Sequence, residues 1–179
     1  LLNEGTASRN SRSIAEALQA IGGDYSAGAD NDAVNIRASA LSSHASQLLE
    51  LVADTALHPS FPANEVTLAK ANALQSLKVR EADPDWQAQR AFGHAAYGDH
   101  PYSRDSLDEA SIAAASPERL KALHDARFRP DRALLVIVGR ISADEAFKLA
   151  EQQFGGWKAS GQALADTAPA PRTAIPQRL

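Results

Sequence analysis

Apolar residues first recur at helical spacing in residues 11–21, where Ile14, Leu18 and Ile21 share one stripe. Ser11 or Ser13 can cap the first turn, and Gly22-Gly23 ends it. The period then changes to two. Val34, Ile36, Ala38 and Ala40 alternate with Asn35, Arg37 and Ser39, so residues 24–29 and 33–41, joined by turn residues 28–32, predict a hairpin exposed on one face. Helical period returns over residues 43–57 through Ala45, Leu48, Leu49, Val52 and Ala56, until His58-Pro59 stops it. Pro62, favourable in a first turn, opens a long helix that runs to about Glu81.

Asp83-Pro84 breaks that helix, and residues 84–97 start another, followed by the loop Tyr97-Gly98-Asp99-His100-Pro101. Residues 117–127 predict a further short helix. Residues 133–138 are continuously apolar and rich in branched side chains, which predicts a central strand buried on both faces. Residues 142–154 form an amphipathic helix with Ser142 as its cap and Gly155-Gly156 at its end. Trp86, Phe92, Tyr97 and Trp157 lie on apolar helix faces or just past them and read as packing residues. This order favours an α+β fold, an antiparallel sheet packed by helices, over a doubly wound parallel sheet. Residues 1–158 are read as one such domain lacking its N-terminal part. Residues 159–179, rich in Ala and Pro without periodicity, are read as a linker toward a following domain.

Composition narrows the function. With 44% hydrophobic and 22% charged residues, the chain can bury a real core. A net charge of −4 and scattered Lys and Arg offer no footprint for nucleic acid. No apolar run approaches the roughly 20 residues that a membrane-spanning helix needs. The lack of cysteine excludes a thiol nucleophile, a disulfide framework and a cysteine zinc site together. The lack of methionine is read as the mark of a piece of something longer.

Candidate chemistry is sparse. His44, His58, His94, His100 and His124 include no H-x-x-x-H or H-E-x-x-H pair, so no two project from one helix face toward a metal. His94 and His100, with Asp99 nearby, come nearest to a ligand cluster and read as surface or loop-stabilising residues. No G-x-S-x-G elbow is present. Both double glycines follow helices, outside the strand-loop-helix setting that cradles phosphate. On these grounds no catalytic, cofactor-binding or metal-binding residue is assigned.

Several segments, in order, resemble one half of the pitrilysin/insulinase zinc peptidases. They are Asn3-Glu4-Gly5-Thr6 with Ile14-Ala15-Glu16-Ala17-Leu18 and Ile21-Gly22-Gly23, then Leu57-His58-Pro59-Ser60-Phe61, then Asp83-Pro84. Tyr97-Gly98-Asp99-His100-Pro101-Tyr102, Phe128-Arg129-Pro130-Asp131 leading into Val136-Ile137-Val138-Gly139, and Phe154-Gly155-Gly156-Trp157 complete the series. The resemblance implies one incomplete half of a clam-like α+β protease. Active members hold zinc through an inverted H-x-x-E-H helix plus a later glutamate, with an open position for water. By the family's pattern that motif falls before Leu1. The later helix carries two glutamates seven residues apart, which two helical turns place on one face. The matching positions are Ala69 and Ser76; neighbours Lys70, Gln75 and Leu77 offer no carboxylate either, and Glu65 and Glu81 lie about a turn away. Asn3 stands where active members usually have an aromatic residue.

The resemblance therefore implies a non-catalytic half, with no cofactor of its own and zinc in a homologous catalytic half or subunit. Its role would be to wall the chamber and help bind unfolded peptide, with the hairpin as a possible sheet edge for an added strand. No nucleic-acid partner, membrane insertion or particular compartment follows from it. Two alternatives stand: a catalytic half whose H-x-x-E-H lies upstream of Leu1, and a purely structural subunit resembling respiratory-complex core proteins.

Overall fold

The computed structural model describes residues 1–104, 107–159 and 165. In chain order these carry α1 (Ser11–Ala20), β1 (Asp24–Ala29), β2 (Val34–Ser39), α2 (Ala45–Leu57), α3 (Ala63–Glu81), α4 (Pro84–Tyr97), α5 (Glu109–Ala114), α6 (Pro117–Arg127) and α7 (Ala143–Phe154). Short 3-10 turns lie at Ser42–His44, Pro101–Ser103 and Pro130–Arg132. The fold is α+β, mostly helical, with a two-stranded antiparallel sheet. The expected linker at 159–179 lies almost wholly outside the described residues.

The cap of α1 is Asn10, not Ser11 or Ser13: its Oδ1 accepts from Ser13 N at 2.8 Å and from Ser13 Oγ at 2.9 Å. Asn10 has the extended backbone of a cap, whereas Ser11 is already helical, so the short amide side chain reaches the free N–H first. At the other end Gly22 takes φ +58°, and two paired bonds, Gly22 N to Leu18's neighbour Gln19 O and Gly23 N to Leu18 O, close the carbonyl end.

Strands β1 and β2 pair in the register Asp24↔Ser39 through Ala29↔Val34. The turn sits later than the sequence suggests, at residues 30–33, with Gly28 inside β1. Asp30 Oδ1 fixes it by accepting from Asp32 N and Ala33 N, both at 2.8 Å. Those backbone bonds hold the Asp30 carboxyl below its ordinary pKa.

The described residues divide into two compact units. The first combines Leu1–Val66 with the described part of Ser116–Leu164. Its core cluster is Leu2, Phe61 and Val66, with Ile36, Leu120 and Phe128 packed against it. Helix α2 is buried on more than one side, through Leu49, Leu51, Ala53, Thr55 and Ala56, because it meets both β2 and α7. Thr55, fully buried, returns its hydroxyl to Leu51 O at 2.9 Å.

The second unit holds the described part of Thr67–Ala115. Asp83 caps α4 by accepting from Asp85 N at 2.9 Å, and Pro84 fills the first turn. The 3-10 turn Pro101–Ser103 packs against α4, where Tyr97 and Tyr102 meet edge to face with centroids 5.7 Å apart. Ile112 of α5, a helix without a clear sequence signal, is buried.

Two further expectations fail. Residues 133–138 form no strand, and their backbone makes no hydrogen bond among the described residues. A β-ladder needs a neighbour, and the strands that the described residues provide, β1 and β2, pair with each other. Phe92, expected to pack, is exposed on α4. The other aromatics do make contacts: Trp86 lies under Arg90, 5.3 Å from its guanidinium, and Trp157 lies 6.4 Å from Phe154.

Candidate functional site

Two regions hold the positions that the sequence singles out, and each is built differently. In the first unit, Gly5 and Thr6 form a turn clasped to the corner after α2. Thr6 bridges Pro59, Ala7 N donates to His58 O at 2.9 Å, and Ser60 N donates to Gly5 O at 3.0 Å. The approach is so close that a Cβ on Gly5 would lie 2.8 Å from Ser60 Oγ and 2.9 Å from Pro62 Cγ. Glycine is thus required by contact and not by backbone angle.

Asp54 of α2 anchors the same turn. Its Oδ2 accepts from Thr6 Oγ1 at 2.9 Å, Ser8 Oγ at 3.2 Å and Arg9 Nη1 at 2.7 Å, while Arg9 Nη2 reaches Glu50 at 2.7 Å. Bonds to Asp54 first, then Glu50, raise the Arg9 pKa above its ordinary value. This network explains the Gly-Thr motif structurally: it ties the turn at residues 5–9 to helix α2. Asn3 lies just before it, half-buried.

In the second unit, α3 runs unbroken through Ala69 and Ser76. Seven residues are two turns, about 10.5 Å along the axis, so both lie on one face. Ala69 is half-buried and Ser76 exposed. Neither side chain carries a carboxylate, so this face does not fit zinc. Lys70, next to Ala69, is engaged elsewhere: its Nζ donates to Ala113 O at 2.7 Å and Ala115 O at 3.0 Å, closing the carbonyl end of α5. Gln75 and Leu77 add no ligand, and Leu77 is buried. Glu65 sits in the first turn of α3 and Glu81 at its last residue, where the Glu81 carbonyl accepts from Gln87 Nε2 at 2.6 Å.

The histidines are not gathered into a metal centre. His94 stands in the last turn of α4, where its carbonyl accepts from Gly98 N at 2.9 Å. His100 caps the following turn: Nδ1 accepts from Tyr102 N at 3.2 Å, and its ring lies 4.8 Å from that of Tyr102. No group of three or more His, Cys, Asp or Glu residues converges as a metal site among the described residues.

Metal-ligand spacing gives His124 no role, and the structure gives it one. It is buried on α6, stacked on Phe128 at 4.3 Å, edge-on to Phe61 at 6.1 Å, and bonded to Ala56 O. A lone histidine on a helix carries no spacing signal, and nothing in one sequence points to a carbonyl 68 residues away.

Comparison with known proteins places this fold. The model "Insulinase (Peptidase family M16)" matches residues 1–109, and the model "Peptidase M16 inactive domain" matches residues 114–179. An uncharacterized zinc protease of Bacillus subtilis, YmxG, is 30% identical over 161 residues, covering 89% of this chain and 39% of that protein. An uncharacterized zinc protease of Mycobacterium leprae is 29% identical over 156 residues, covering 87% of this chain and 35% of that one. The crystal structure of a peptidase M16 inactive domain from Pseudomonas fluorescens superposes with a TM-score of 0.87 at 28% identity, over 95% of this chain and 42% of that one. The periplasmic protease PqqL of Escherichia coli shares the fold, with a TM-score of 0.82 at 16% identity. The chain spans well under half the length of these relatives. With a family model matched over more than half of its residues, the chain belongs to the insulinase family of peptidases, family M16.

Proposed function

We propose that this chain is part of a non-catalytic half of a zinc peptidase of its family, one that walls a substrate chamber while a homologous half carries the metal. The observation that supports it is the pair Ala69 and Ser76 on one face of α3, at the positions matching the family's paired glutamates. A catalytic zinc takes three protein ligands and a water, and a methyl and a hydroxyl leave that set short. The match to an inactive-domain model over residues 114–179 favours the same reading.

The partner is then a homologous catalytic half, on the same polypeptide or another, and the ligand an unfolded peptide. Among the described residues, strands β1 and β2 each keep one unpaired edge in their two-stranded sheet, which an extended peptide could join through main-chain bonds.

Zinc titration followed by calorimetry, together with a peptide-hydrolysis assay, tests the reading. The expected result is no stoichiometric zinc and no hydrolysis by this chain, with activity restored by a zinc-bearing half. Stoichiometric zinc that depends on His94 and His100 overturns it. So does an H-x-x-E-H motif directly preceding Leu1 in the coding sequence, which favours a catalytic half.

A further inference from the structure

Ile36 of β2 rests against the core cluster, so its neighbours Asn35 and Arg37 point to the opposite face of the hairpin. The register sets Ser26 opposite Arg37 and Gly28 opposite Asn35 on that outer face, with all four residues exposed. A shallow hollow lies there. Strand β2 lends it only the alternate residues Asn35 and Arg37, whereas the β1 side lends the consecutive residues 26–30. Consecutive residues of a strand meet one surface only where the backbone is reached from its side, so the hollow opens along the β1 edge.

Arg37 makes no ion pair and no side-chain hydrogen bond among the described residues. The carboxylate that shares the hollow, Asp30, is engaged with Asp32 N, Ala33 N and Asn35 Nδ2 at 2.8, 2.8 and 2.9 Å. The approach is open, because a Cβ on Gly28 would meet no atom within 4 Å and Ser26 is short. A strand joined to β1 would lie two strand spacings from β2, about 9.6 Å. A glutamate on its outer face, opposite Ser26, can cross that gap to the Arg37 guanidinium, whose planar fork suits a carboxylate. Asp24 and Asp30 flank Arg37 along the same face and disfavour a polyanion, so the site takes one carboxylate at a time.

We infer that Arg37 gives the β1 edge a preference for extended peptides that carry a glutamate on the outer face of the added strand. The inference rests on the reading that this hairpin takes peptide at its edge, and adds the class of side chain that it selects.

Fluorescence anisotropy tests it on the polypeptide that the whole gene encodes, with a chelator present to halt hydrolysis. The probes are short labelled peptides that alternate threonine with glutamate, glutamine or lysine, so a slip of two residues leaves the same side chain over Ser26. The glutamate peptide should bind about 2- to 5-fold more tightly than the glutamine peptide, the range of an exposed ion pair, and the advantage should shrink at high salt. Arg37→Gln should remove the advantage and Arg37→Glu should pass it to the lysine peptide, with circular dichroism unchanged because the side chain is exposed. Hydrogen exchange should show bound peptide slowing amides of residues 24–29. Equal binding of the three peptides, or an advantage that survives in Arg37→Gln, overturns the inference and leaves the edge reading standing. Binding that protects no amide of β1, or no binding at all, overturns both.

Discussion

The Nε2 of His124 donates to the carbonyl of Ala56 at 2.7 Å, so a side chain from α6 closes the carbonyl end of α2. Helix ends leave their last carbonyls without intrahelical partners, and burial makes an unmet one expensive. His124→Phe keeps the ring between Phe61 and Phe128 and removes the donor. It should destabilise the chain by about 1–3 kcal/mol. Urea unfolding of the two proteins, compared at one pH, checks this.

Gly5→Ala should be destabilising by about 1–3 kcal/mol, the usual consequence of forcing atoms into a filled space. Its new methyl group would meet Ser60 and Pro62 inside contact distance. Gly28→Ala is the control, because a Cβ there meets nothing within 4 Å. Thermal melts should separate the two variants clearly.

Acid should weaken the fold in part through Asp131. Bonds from the Arg129 guanidinium, at 3.0 and 3.1 Å, hold the Asp131 carboxyl below its ordinary pKa. A carboxyl depressed in the folded state contributes stability above the unfolded pKa, near about 3.9, and loses it as pH falls through the lower folded value. Asp131→Asn should therefore flatten the stability profile below about pH 4, and leave less to lose on acidification. Unfolding midpoints at a series of acidic pH values read the slope.

Restoring carboxylates to α3 should be structurally easy. Ala69 is half-buried and Ser76 exposed, and glutamate is a good helix former. The double variant Ala69→Glu, Ser76→Glu should change stability by less than about 1 kcal/mol. It should gain no tight zinc binding on its own, because no histidine lies on α3. Metal titration of the variant, beside its melting curve, checks both halves of this.

Local signals carried most of the helices into view. Ser142 caps α7 and Ser116 caps α6 through their hydroxyls, and Asp83-Pro84 starts α4, as short-range rules require. The cap of α1 was misplaced at Ser11 or Ser13 because these equally cap-competent residues stand next to Asn10, the residue that caps it. The α3 positions were legible only through resemblance, since an alanine and a serine carry no chemistry of their own. His124 and the Asp54 network were hidden for a different reason: their partners are distant in sequence, and burial decides them. Residues 133–138 show the converse. Their composition states what environment they need, and that environment is not supplied by the strands described.

Phe61 sits at φ +47° and is nonetheless buried in the core. The left-handed region disfavours a side chain of this kind by about 1–2 kcal/mol, whereas emptying a buried phenylalanine site costs about 3–5 kcal/mol. Packing wins, so the bend between His58 and Ala63 is written by the interior and not by the local chain. A peptide spanning α2 and the first turns of α3, freed of its surroundings, should relax to negative φ at residue 61 and lose that bend. The corner is therefore a non-transferable joint, one that grafting would not carry into another scaffold without the core that holds it.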